Sequence, residues 1–352
     1  MGSVLLLTSD YPPRIGGVAR YNAALAAALT PPMEVLMLPL IRSWPLRILT
    51  ITRRCRPGAV DRLVVSELLP WGTVAWIVQM LRRTPYVVVC HGLDLERARR
   101  VPRKRWLARR VLAGASRVIA NSRATNRRVV ACGAPPERVT VIAPPLTDAL
   151  LRVMPSDRAA FRSVQDIPLR APLILTVGRL VARKGFDTVI DAMATVIRTL
   201  PNARLVVVGD GPERATLEAR ARIAGIPCHF VGSADDATLA SWYEACDVFT
   251  MLPRTLPDGD VEGFGMVYLE AGWFRKPVVG TRSGGVPDAI TDGVTGLLVP
   301  PGDAPAAAIA LLRILSDRTL GERLGNEGRQ RVEREHLPVI FARAVRAALG
   351  VR

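Results

Sequence analysis

The stretch LILTVGRLVARKGFDTVIDAMATV, residues 173–196, contains one complete structural unit. It begins with an apolar, β-rich run, continues through a basic loop bounded by glycine, and is predicted to enter a helix at about Asp187. A strand that is apolar at every position is typical of a parallel sheet covered on both faces by helices. The stretch therefore predicts an α/β fold built from strand–loop–helix units.

The same alternation extends over the whole chain. Further strands are predicted at VLLLT, RLVVS, YVVVC and RVIAN in the first half, and at RLVVVGDG, HFVG, DVFTML and PVVGT in the second, with helical segments between them. A chain of 352 residues is long enough for two domains, each with its own core. We therefore predict two Rossmann-like parallel-sheet domains.

Prolines set the predicted domain boundaries. Pro155, Pro168 and Pro172 interrupt the segment 154–172, which we interpret as a hinge between domains 1–160 and 161–335. A break at His336-Leu337-Pro338 precedes a last helix, so residues 336–352 form a separate C-terminal segment.

Composition indicates a globular protein, because 49% of the residues are hydrophobic and 22% are charged. The N-terminus lacks the features of a secretory signal, and the apolar segment 68–81 is too short to span a bilayer. We expect a soluble cytoplasmic protein. The five cysteines are scattered without a C-x-x-C pair, which does not indicate a zinc or redox site.

The positive charge is confined to the first half of the chain. The formal net charge is +17; residues 1–168 contain 26 Arg and Lys against 10 Asp and Glu, whereas the remainder contains 22 against 21. A one-sided excess of this size produces a field that attracts an anionic surface or ligand.

Open parallel sheets bind ligands at the carboxyl ends of their strands, so the loops after strands are the candidate sites. After the first strand, Gly16 and Gly17 allow close backbone approach and an anion site at a helix N-terminus, although a simple tight turn explains them equally well. His91 follows YVVVC beside Gly92. Its alternative role is that of an ordinary loop or core histidine.

In the second half, Arg179 and Lys184 follow a strand and can direct two cations at one phosphate-bearing ligand. Such a cation, about 4 Å from a phosphate charge at an effective dielectric constant of about 20, contributes roughly 4 kcal/mol. Two such cations could replace a divalent metal ion. The acidic pair in Asp258-Gly259-Asp260 is nevertheless an alternative that could bind a metal ion. The alternative is a solvated basic loop.

The stretch DGDVEGFGMVYLEAGW, residues 258–273, places two carboxylates around a glycine-rich turn. Glu262 precedes a helix predicted from about Phe264, and Glu270 lies about two turns inside it. The amides near Gly263 and Gly265 can hold a phosphate while the carboxylates accept hydrogen bonds from sugar hydroxyls. This pattern fits a nucleotide attached to a sugar.

The alternative for these acids is structural. Glu262 would then be a charge at a helix N-terminus, and Glu270 a chance buried acid. Glu270 lies among Val267, Leu269 and Ala271, where an unpaired carboxylate would be costly unless a hydroxyl partner is present.

Six motifs in a fixed order resemble the family-4 glycosyltransferases with the GT-B fold, a group of retaining sugar transferases that includes bacterial lipid mannosyltransferases. They are YPPRIGGVARY near the start, HG at 91, GRLVARKG at 178, GDGPER at 209, VEGFGMVYLEA at 261 and SGGVPDAITDGVTGLLVPPGD at 283. The resemblance implies a metal-independent front-face substitution with no protein nucleophile. It also implies that the C-terminal helix packs back on the first domain.

The resemblance assigns roles by position. Glu270 would bind the ribose, Glu262 the donor sugar, and His91 would lie beside the reacting sugar. The implied catalytic residues are His91, Arg179, Lys184 and Glu262. The implied donor-binding residues are Gly16, Gly17, Arg179, Lys184, Gly209, Val231, Glu262, Gly263, Phe264, Gly265, Met266 and Glu270.

The motif VEGFGMVYLEA and the preceding LPRTLPDGD look most similar to phosphatidylinositol mannosyltransferases. GDP-mannose is therefore the first choice of donor, with UDP-glucose and related sugars left open.

The acceptor would be bound by the basic first half. Residues 97–110 contain eight basic side chains and no acid, which favours docking on an anionic membrane and a lipid or lipid-linked acceptor at the inner face of the cytoplasmic membrane. The candidate membrane or acceptor residues are Arg99, Arg100, Arg103, Lys104, Arg105 and Trp106. The alternative is a solvated arginine-rich helix face.

Other function classes fit less well. A nucleic-acid-binding protein agrees with the pI of about 11.0, but no known motif is present and aromatic residues make up only 5% of the chain. A sugar-nucleotide epimerase of the same architecture would need acid and base residues that the sequence does not reveal. A UDP-sugar transferase with a soluble acceptor and an inactive nucleotide-sugar-binding scaffold also remain open.

Overall fold

The structure, a computed structural model, describes residues 3–14, 16–37, 44–56 and 58–351. The chain forms two compact units. The first contains residues 1–145 and 337–352, and the second contains residues 146–336.

Each unit contains a parallel sheet. In the described residues the first sheet has six strands in the order β2-β1-β3-β4-β5-β6, and the second has six in the order β12-β11-β10-β7-β8-β9. The strands are β1 (Val4–Thr8), β2 (Glu34–Met37), β3 (Arg62–Val65), β4 (Tyr86–Cys90), β5 (Arg117–Ala120), β6 (Val139–Val141), β7 (Leu173–Val177), β8 (Arg204–Val208), β9 (Cys228–Gly232), β10 (Val248–Thr250), β11 (Val278–Thr281) and β12 (Leu297–Val299).

Helices connect the strands. They are α1 (Gly17–Ala27), α2 (Trp44–Arg54), α3 (Trp71–Arg82), α4 (Leu93–Arg99), α5 (Pro102–Gly114), α6 (Arg123–Ala131), α7 (Asp148–Arg152), α8 (Arg158–Val164), α9 (Phe186–Thr199), α10 (Arg214–Ile223), α11 (Asp236–Ala245), α12 (Met266–Trp273), α13 (Val286–Ala289), α14 (Ala304–Ser316), α15 (Arg318–Glu335) and α16 (Pro338–Leu349). The predicted alternation of strands and helices is confirmed. Strands β2, β6 and β12 were not predicted; each is an edge strand that is not buried along its whole length, so it lacks the buried apolar run of a central strand.

Both faces of the first sheet are covered by helices, as the uniformly apolar strands predicted. On one face, Leu5 and Leu7 of β1 pack with buried residues of α2, α3 and α5. On the other face, Leu6 packs with residues of α1 and α16. Phe341 and other buried side chains of α16 lie in this second cluster, so the C-terminal helix packs on the first unit as the resemblance implied.

The second sheet is enclosed in the same way. Strand β7 is fully buried, and Val189 and Met193 of α9 pack in one core with Leu311 of α14. Helices α12 and α15 approach each other closely at Gly272 and Gly328, where a Cβ added to Gly272 would lie 3.2 Å from the Gly328 carbonyl oxygen. Larger residues at this contact would push the helices apart.

The segment interpreted as a hinge is attached to the second unit by Arg162 of α8. This side chain is 1% exposed. Its guanidinium donates to the carbonyl oxygens of Ala245 and Ala171, at 2.7–2.9 Å, and to Asp247 at 2.9 Å. The guanidinium of Arg162 makes six hydrogen bonds in total with the described residues, which satisfy its buried charge. Loss of this side chain would leave several carbonyl oxygens without a donor. The compact second unit therefore begins at Leu146, whereas the sequence interpretation placed the boundary after residue 160.

Candidate active site

The loop after β7 lies directly against the segment that follows β10. It makes a short 3-10 turn over Ala182–Lys184 and ends at Gly185, which has a φ of +72°. A Cβ on Gly185 would overlap the carbonyl of Leu252, and the Arg254 amide donates to the Arg183 carbonyl at 2.9 Å. Glycine is required here both by the backbone angle and by the close approach.

Gly284 and Gly285 hold the loop before α12 in place. The Gly285 amide donates to the Glu262 carbonyl at 2.9 Å, and a Cβ on Gly284 or Gly285 would overlap the carbonyls of Glu262 and Gly263. Helix α12 begins at Met266, two residues after the predicted start at Phe264. These contacts fix the backbone that carries Glu262.

Glu262 and Lys184 form the centre of the charged site in the second unit. The Glu262 Oε2 atom lies 2.7 Å from Lys184 Nζ and 2.6 Å from Arg183 Nη1. Arg183 also lies 3.4 Å from Asp260. The Lys184 and Glu262 side chains are only 12% and 11% exposed, so this ion pair is largely removed from water.

The charge state of Glu262 is set by two opposing effects. Burial raises the pKa of this carboxyl, but the charges and hydrogen bonds of Lys184 and Arg183 outweigh burial and lower the pKa to about 2. Glu262 is therefore a carboxylate at neutral pH. Both cations bind Oε2, and within the described residues no hydrogen bond reaches Oε1.

Arg183, which the sequence analysis did not select, pairs with Glu262 from the loop after β7. The Arg179 side chain is exposed and makes no hydrogen bond or ion pair with the residues that the structure describes. The sequence contains a signal for Arg183, since it is adjacent to Lys184, but spacing alone does not show which arginine the 3-10 turn directs toward Glu262. Asp260, considered as part of an acidic pair, instead lies beside Arg183.

Glu270 is buried in α12 with a hydroxyl partner, as its apolar surroundings required. It is 2% exposed, and the Tyr243 hydroxyl donates to its Oε2 at 2.8 Å. The Tyr243 ring is stacked on Phe274, with 5.7 Å between ring centroids. Sequence reasoning missed Tyr243, because a tyrosine on α11 gives no local indication that it meets α12.

The remaining donor-side candidates surround these groups. Gly209 has a φ of +134°, and a Cβ there would overlap the Gly178 carbonyl, so the turn after β8 packs on the turn after β7. Val231 is half-buried on β9. Phe264 is 3% exposed and meets the His336 ring edge-on at 5.7 Å, and Met266 is the first residue of α12.

His91 directly follows β4 in the first unit. Its Nε2 atom lies 2.9 Å from the Ser66 hydroxyl oxygen, and the Tyr21 ring meets it edge-on at 5.1 Å. Burial lowers the pKa of His91 to about 4, so the ring is neutral at pH 7. Gly17 begins α1, and a Cβ on Gly16 would meet no atom within 4 Å.

Two carboxylates near His91 were not anticipated from the sequence. Glu67 accepts hydrogen bonds from the Ser9 amide at 2.9 Å and the Ser9 hydroxyl at 3.0 Å. Asp94 accepts from the amides of Leu68 and Gly92, both at 3.2 Å. Burial raises the pKa of both carboxyls. Acidic residues are common in loops, and the sequence does not show which of them lie close to His91 until the order of the strands is known.

The basic run in the first unit lies mainly on α5. Arg103, Lys104 and Arg105 are exposed. Trp106 is 53% exposed, with the Arg110 guanidinium 5.4 Å above its ring. Arg100 is exposed, Arg99 lies 3.7 Å from Glu96, and the side chain of Arg97 lies outside the described residues. The opposite side of α5 is buried through Ala108, Val111 and Leu112.

Comparison with known proteins identifies the family. The family model described as Glycosyl transferases group 1 matches residues 157–331, and the model described as Glycosyltransferase Family 4 matches residues 27–149. A GDP-mannose-dependent alpha-(1-6)-phosphatidylinositol monomannoside mannosyltransferase of Mycolicibacterium smegmatis is 30% identical, over 93% of this chain and 92% of the relative. The chain belongs to the family-4 glycosyltransferases.

Other relatives agree with this assignment. The mannosyltransferase of the same description from Mycobacterium tuberculosis is 29% identical, over 94% of this glycosyltransferase and 93% of the relative. The crystal structure of Anabaena HepE in complex with UDP and glucose is 21% identical and covers 99% of this chain and 100% of its own, with a TM-score of 0.82. The glycosyltransferase has the GT-B fold that the motifs predicted.

Membrane-spanning helices were also considered. Among the residues that the structure describes, no helix of this glycosyltransferase has the length and apolar character needed to cross a bilayer.

The half-buried His91 predicts a specific acid sensitivity. Its pKa is lowered from 6.5 to about 4 on folding, so the folded state binds fewer protons than the unfolded state. The stability that His91 contributes is present above about pH 6.5 and is lost as the pH falls toward 4. We expect this contribution to fall by about 2 kcal/mol between pH 7 and pH 5.

Urea denaturation of the wild type and of His91→Asn at both pH values measures this effect. The variant should lose less stability on acidification than the wild type, by about the same 2 kcal/mol. Glu262 does not contribute in this window, because its pKa is lowered from 4.5 and its contribution is lost only below that value. His229→Asn, at an exposed position on β9, is the control, and an equal pH dependence in wild type and His91→Asn would contradict the assignment.

Proposed function

We propose that this glycosyltransferase transfers a hexosyl group from a nucleotide sugar, with retention of configuration and without a metal ion, to a hydroxyl of a lipid or lipid-linked acceptor. GDP-mannose is the proposed donor. The relatives from Mycolicibacterium smegmatis and Mycobacterium tuberculosis, which are described as GDP-mannose-dependent mannosyltransferases and align over almost the whole chain, support this choice.

The observation that carries the proposal is that the two oxygens of the Glu262 carboxylate have different surroundings. Oε2 is held by Lys184 at 2.7 Å and Arg183 at 2.6 Å, whereas Oε1 has no hydrogen-bond partner in the described part of the chain. A fixed, ionised carboxylate with one oxygen free is suited to accept a hydrogen bond from a sugar hydroxyl.

Lys184 also has capacity for a phosphate. An ammonium group has three N–H donors, and the ion pair with Glu262 uses one of them. The remaining donors, together with the exposed Arg179, would stabilise the negative charge that develops on the leaving diphosphate. A cation about 4 Å from that charge contributes roughly 4 kcal/mol at an effective dielectric constant of about 20.

In the proposed reaction, the bond between the anomeric carbon and the diphosphate oxygen breaks while a bond to the acceptor hydroxyl oxygen forms on the same face of the sugar. The acceptor proton passes to an oxygen of the departing diphosphate. The products are a glycoside and a nucleoside diphosphate. Glu262 would hold the sugar, Glu270 the ribose and His91 the reacting end of the donor.

A transfer assay tests the donor and the role of Glu262. Purified protein is given GDP-mannose, UDP-glucose or UDP-galactose with phosphatidylinositol or its monomannoside in detergent micelles, without added metal, and the products are followed by mass spectrometry. We expect a mannosylated lipid and GDP. Glu262→Gln should reduce turnover by about 100-fold or more, because it removes the negative charge that pairs with Lys184 and Arg183 and that would accept from the sugar hydroxyl.

Glu218→Gln is the matched control for that variant. Glu218 lies in the same unit on α10, where it is 43% exposed and pairs with Arg214, so the activity should remain within about twofold of the wild type. Turnover only with UDP-sugars would refute the donor assignment, and formation of an epimerised nucleotide sugar without transfer would favour the epimerase.

We further propose that α5 docks on an anionic membrane surface at the inner face of the cytoplasmic membrane. The exposed Arg103, Lys104 and Arg105 supply positive charge, and the adjacent Trp106 meets Trp76 edge-on at 6.4 Å. Tryptophan is favoured at the interface between water and lipid, and each cation near an anionic surface contributes at most about 1 kcal/mol. Exposed Met80 and Leu81, at the end of the neighbouring α3, add apolar area.

Sedimentation with vesicles tests this surface. We expect binding to phosphatidylcholine vesicles that contain phosphatidylglycerol and little binding to phosphatidylcholine alone. Replacing Arg103, Lys104 and Arg105 by alanine should weaken the partition by about tenfold to a hundredfold. The control replaces the same number of exposed arginines in the second unit. These are Arg198, Arg222 and Arg318. Equal weakening by the two sets would indicate a general charge effect and would contradict a defined docking helix.

A further inference from the structure

Three polar side chains of the first unit, Thr8, Asn22 and Ser66, form a continuous chain of hydrogen bonds that ends at His91. Asn22 of α1 is fully buried and lies between Thr8 at the end of β1 and Ser66 after β3. Ser66, also fully buried, lies 2.9 Å from the Nε2 atom of His91. None of these three residues has a charge, so the direction of each hydrogen bond is decided by the number of donors and acceptors.

The orientation of the Asn22 amide is fixed first. Its Nδ2 atom lies 2.7 Å from the Asp10 carbonyl oxygen and 3.0 Å from Thr8 Oγ1. A backbone carbonyl can only accept, so the NH₂ group of Asn22 must face Asp10. The Oδ1 atom of Asn22 therefore faces Ser66, and because this oxygen can only accept, the Ser66 hydroxyl must donate to it.

The tautomer of His91 follows from the single proton of the Ser66 hydroxyl. This proton is already donated to Asn22, so toward His91 the Ser66 oxygen can only accept. The Nε2 atom of His91 must then carry a proton. Because burial keeps the ring neutral, Nδ1 is the unprotonated nitrogen with a free lone pair.

Aromatic side chains also fix the orientation of the His91 ring. Tyr21 meets it edge-on at 5.1 Å, and the Tyr21 hydroxyl donates to the Ile142 carbonyl at 3.0 Å. Phe341 of α16 packs edge-on against the other side of Tyr21 at 5.2 Å. The Nδ1 atom of His91 has no hydrogen-bond partner among the described residues, and it is not one of the fully buried polar atoms.

We propose that Asn22 and Ser66 are positioning residues that lock His91 as the neutral Nε2–H tautomer and so present Nδ1 as a hydrogen-bond acceptor toward the bound substrate. The acceptor nitrogen suits a hydroxyl of a sugar or of the acceptor, and this part rests on the proposed function. The lock itself rests on the hydrogen-bond geometry of the first unit and on the neutrality of the ring. It makes His91 a neutral acceptor during turnover, not an imidazolium donor.

Nitrogen NMR reads the tautomer directly. The chain contains only three histidines, so the imidazole signals of uniformly ¹⁵N-labelled protein can be assigned with His91→Gln. At pH 7 the wild type should show His91 with a protonated Nε2 and an unprotonated Nδ1. Observation of the Nδ1–H tautomer, or of an imidazolium, would overturn the proposal.

Two variants separate positioning from simple stability. In Asn22→Ala the Ser66 proton is released and can be donated to Nε2, so His91 should shift toward the Nδ1–H tautomer. In Ser66→Ala the Nε2–H group loses its acceptor, and its signals should indicate a mixture of tautomers. Either change should reduce kcat by about tenfold, the equivalent of one hydrogen bond. Should Asn22→Ala fail to fold, Ser66→Ala alone decides the outcome.

Two controls complete the experiment. Ser66→Thr retains the hydroxyl and should retain the wild-type tautomer and restore most of the lost activity. Ser116→Ala removes a serine hydroxyl directly before β5, at the amino ends of the same parallel strands, where it donates to the Tyr86 carbonyl at 2.8 Å, and should leave the His91 signals and kcat unchanged. An unchanged tautomer and an unchanged kcat in both Asn22→Ala and Ser66→Ala would overturn the positioning role.

The two proposals fail in different ways. A wild-type protein that transfers no sugar from any donor would refute the proposed function, whereas the NMR result would still decide whether the lock exists. Full transfer activity combined with the wrong tautomer would refute the lock and leave the transferase function intact.

Discussion

A carboxylate that is removed from water needs hydrogen-bond donors or cations beside it, and at Glu262 the second unit supplies two cations. Lys184 and Arg183 reach this carboxylate from the loop after β7, while Glu262 itself lies on the loop before α12. Both loops are positioned by glycines that pack on carbonyl groups. The pair therefore depends on backbone contacts that no larger residue would permit.

The two units contain different chemistry. The second unit contains buried and ionised groups, with Glu262 kept as a carboxylate by the cations beside it. The first unit contains a neutral network in which Asn22, Ser66 and His91 exchange hydrogen bonds, and its unpaired positive charge lies outside on α5. A glycosyltransferase needs both kinds of environment, because a charged diphosphate departs while an uncharged hydroxyl attacks.

Much of this arrangement could be predicted from local sequence. The apolar strands, the loops at their carboxyl ends, and the choice of Lys184 and Glu262 as candidate site residues were all accessible, because each depends on a short run of residues. The contacts that complete the site were not accessible. Arg183 reaches Glu262 from a 3-10 turn, and Tyr243 reaches Glu270 from another helix.

The residue at which the second unit begins could not be predicted from local sequence either. Prolines suggested a boundary in the segment 154–172, but they give no indication of the bonds that Arg162 makes with Ala245 and Asp247, more than 80 positions away in sequence. Such pairings depend on the order of strands in the sheet. A buried arginine and a buried histidine look like ordinary polar residues until that order is known.

The central claim is that Lys184, fixed by Glu262, binds the diphosphate of the donor. Isothermal titration calorimetry with GDP and with guanosine measures this most directly, using the wild type, Lys184→Met and, as control, Lys104→Met on the exposed face of α5. We predict that Lys184→Met weakens GDP binding by about 100-fold without changing the affinity for guanosine, and that Lys104→Met changes neither. Wild-type affinity for GDP in the Lys184→Met protein would contradict the account.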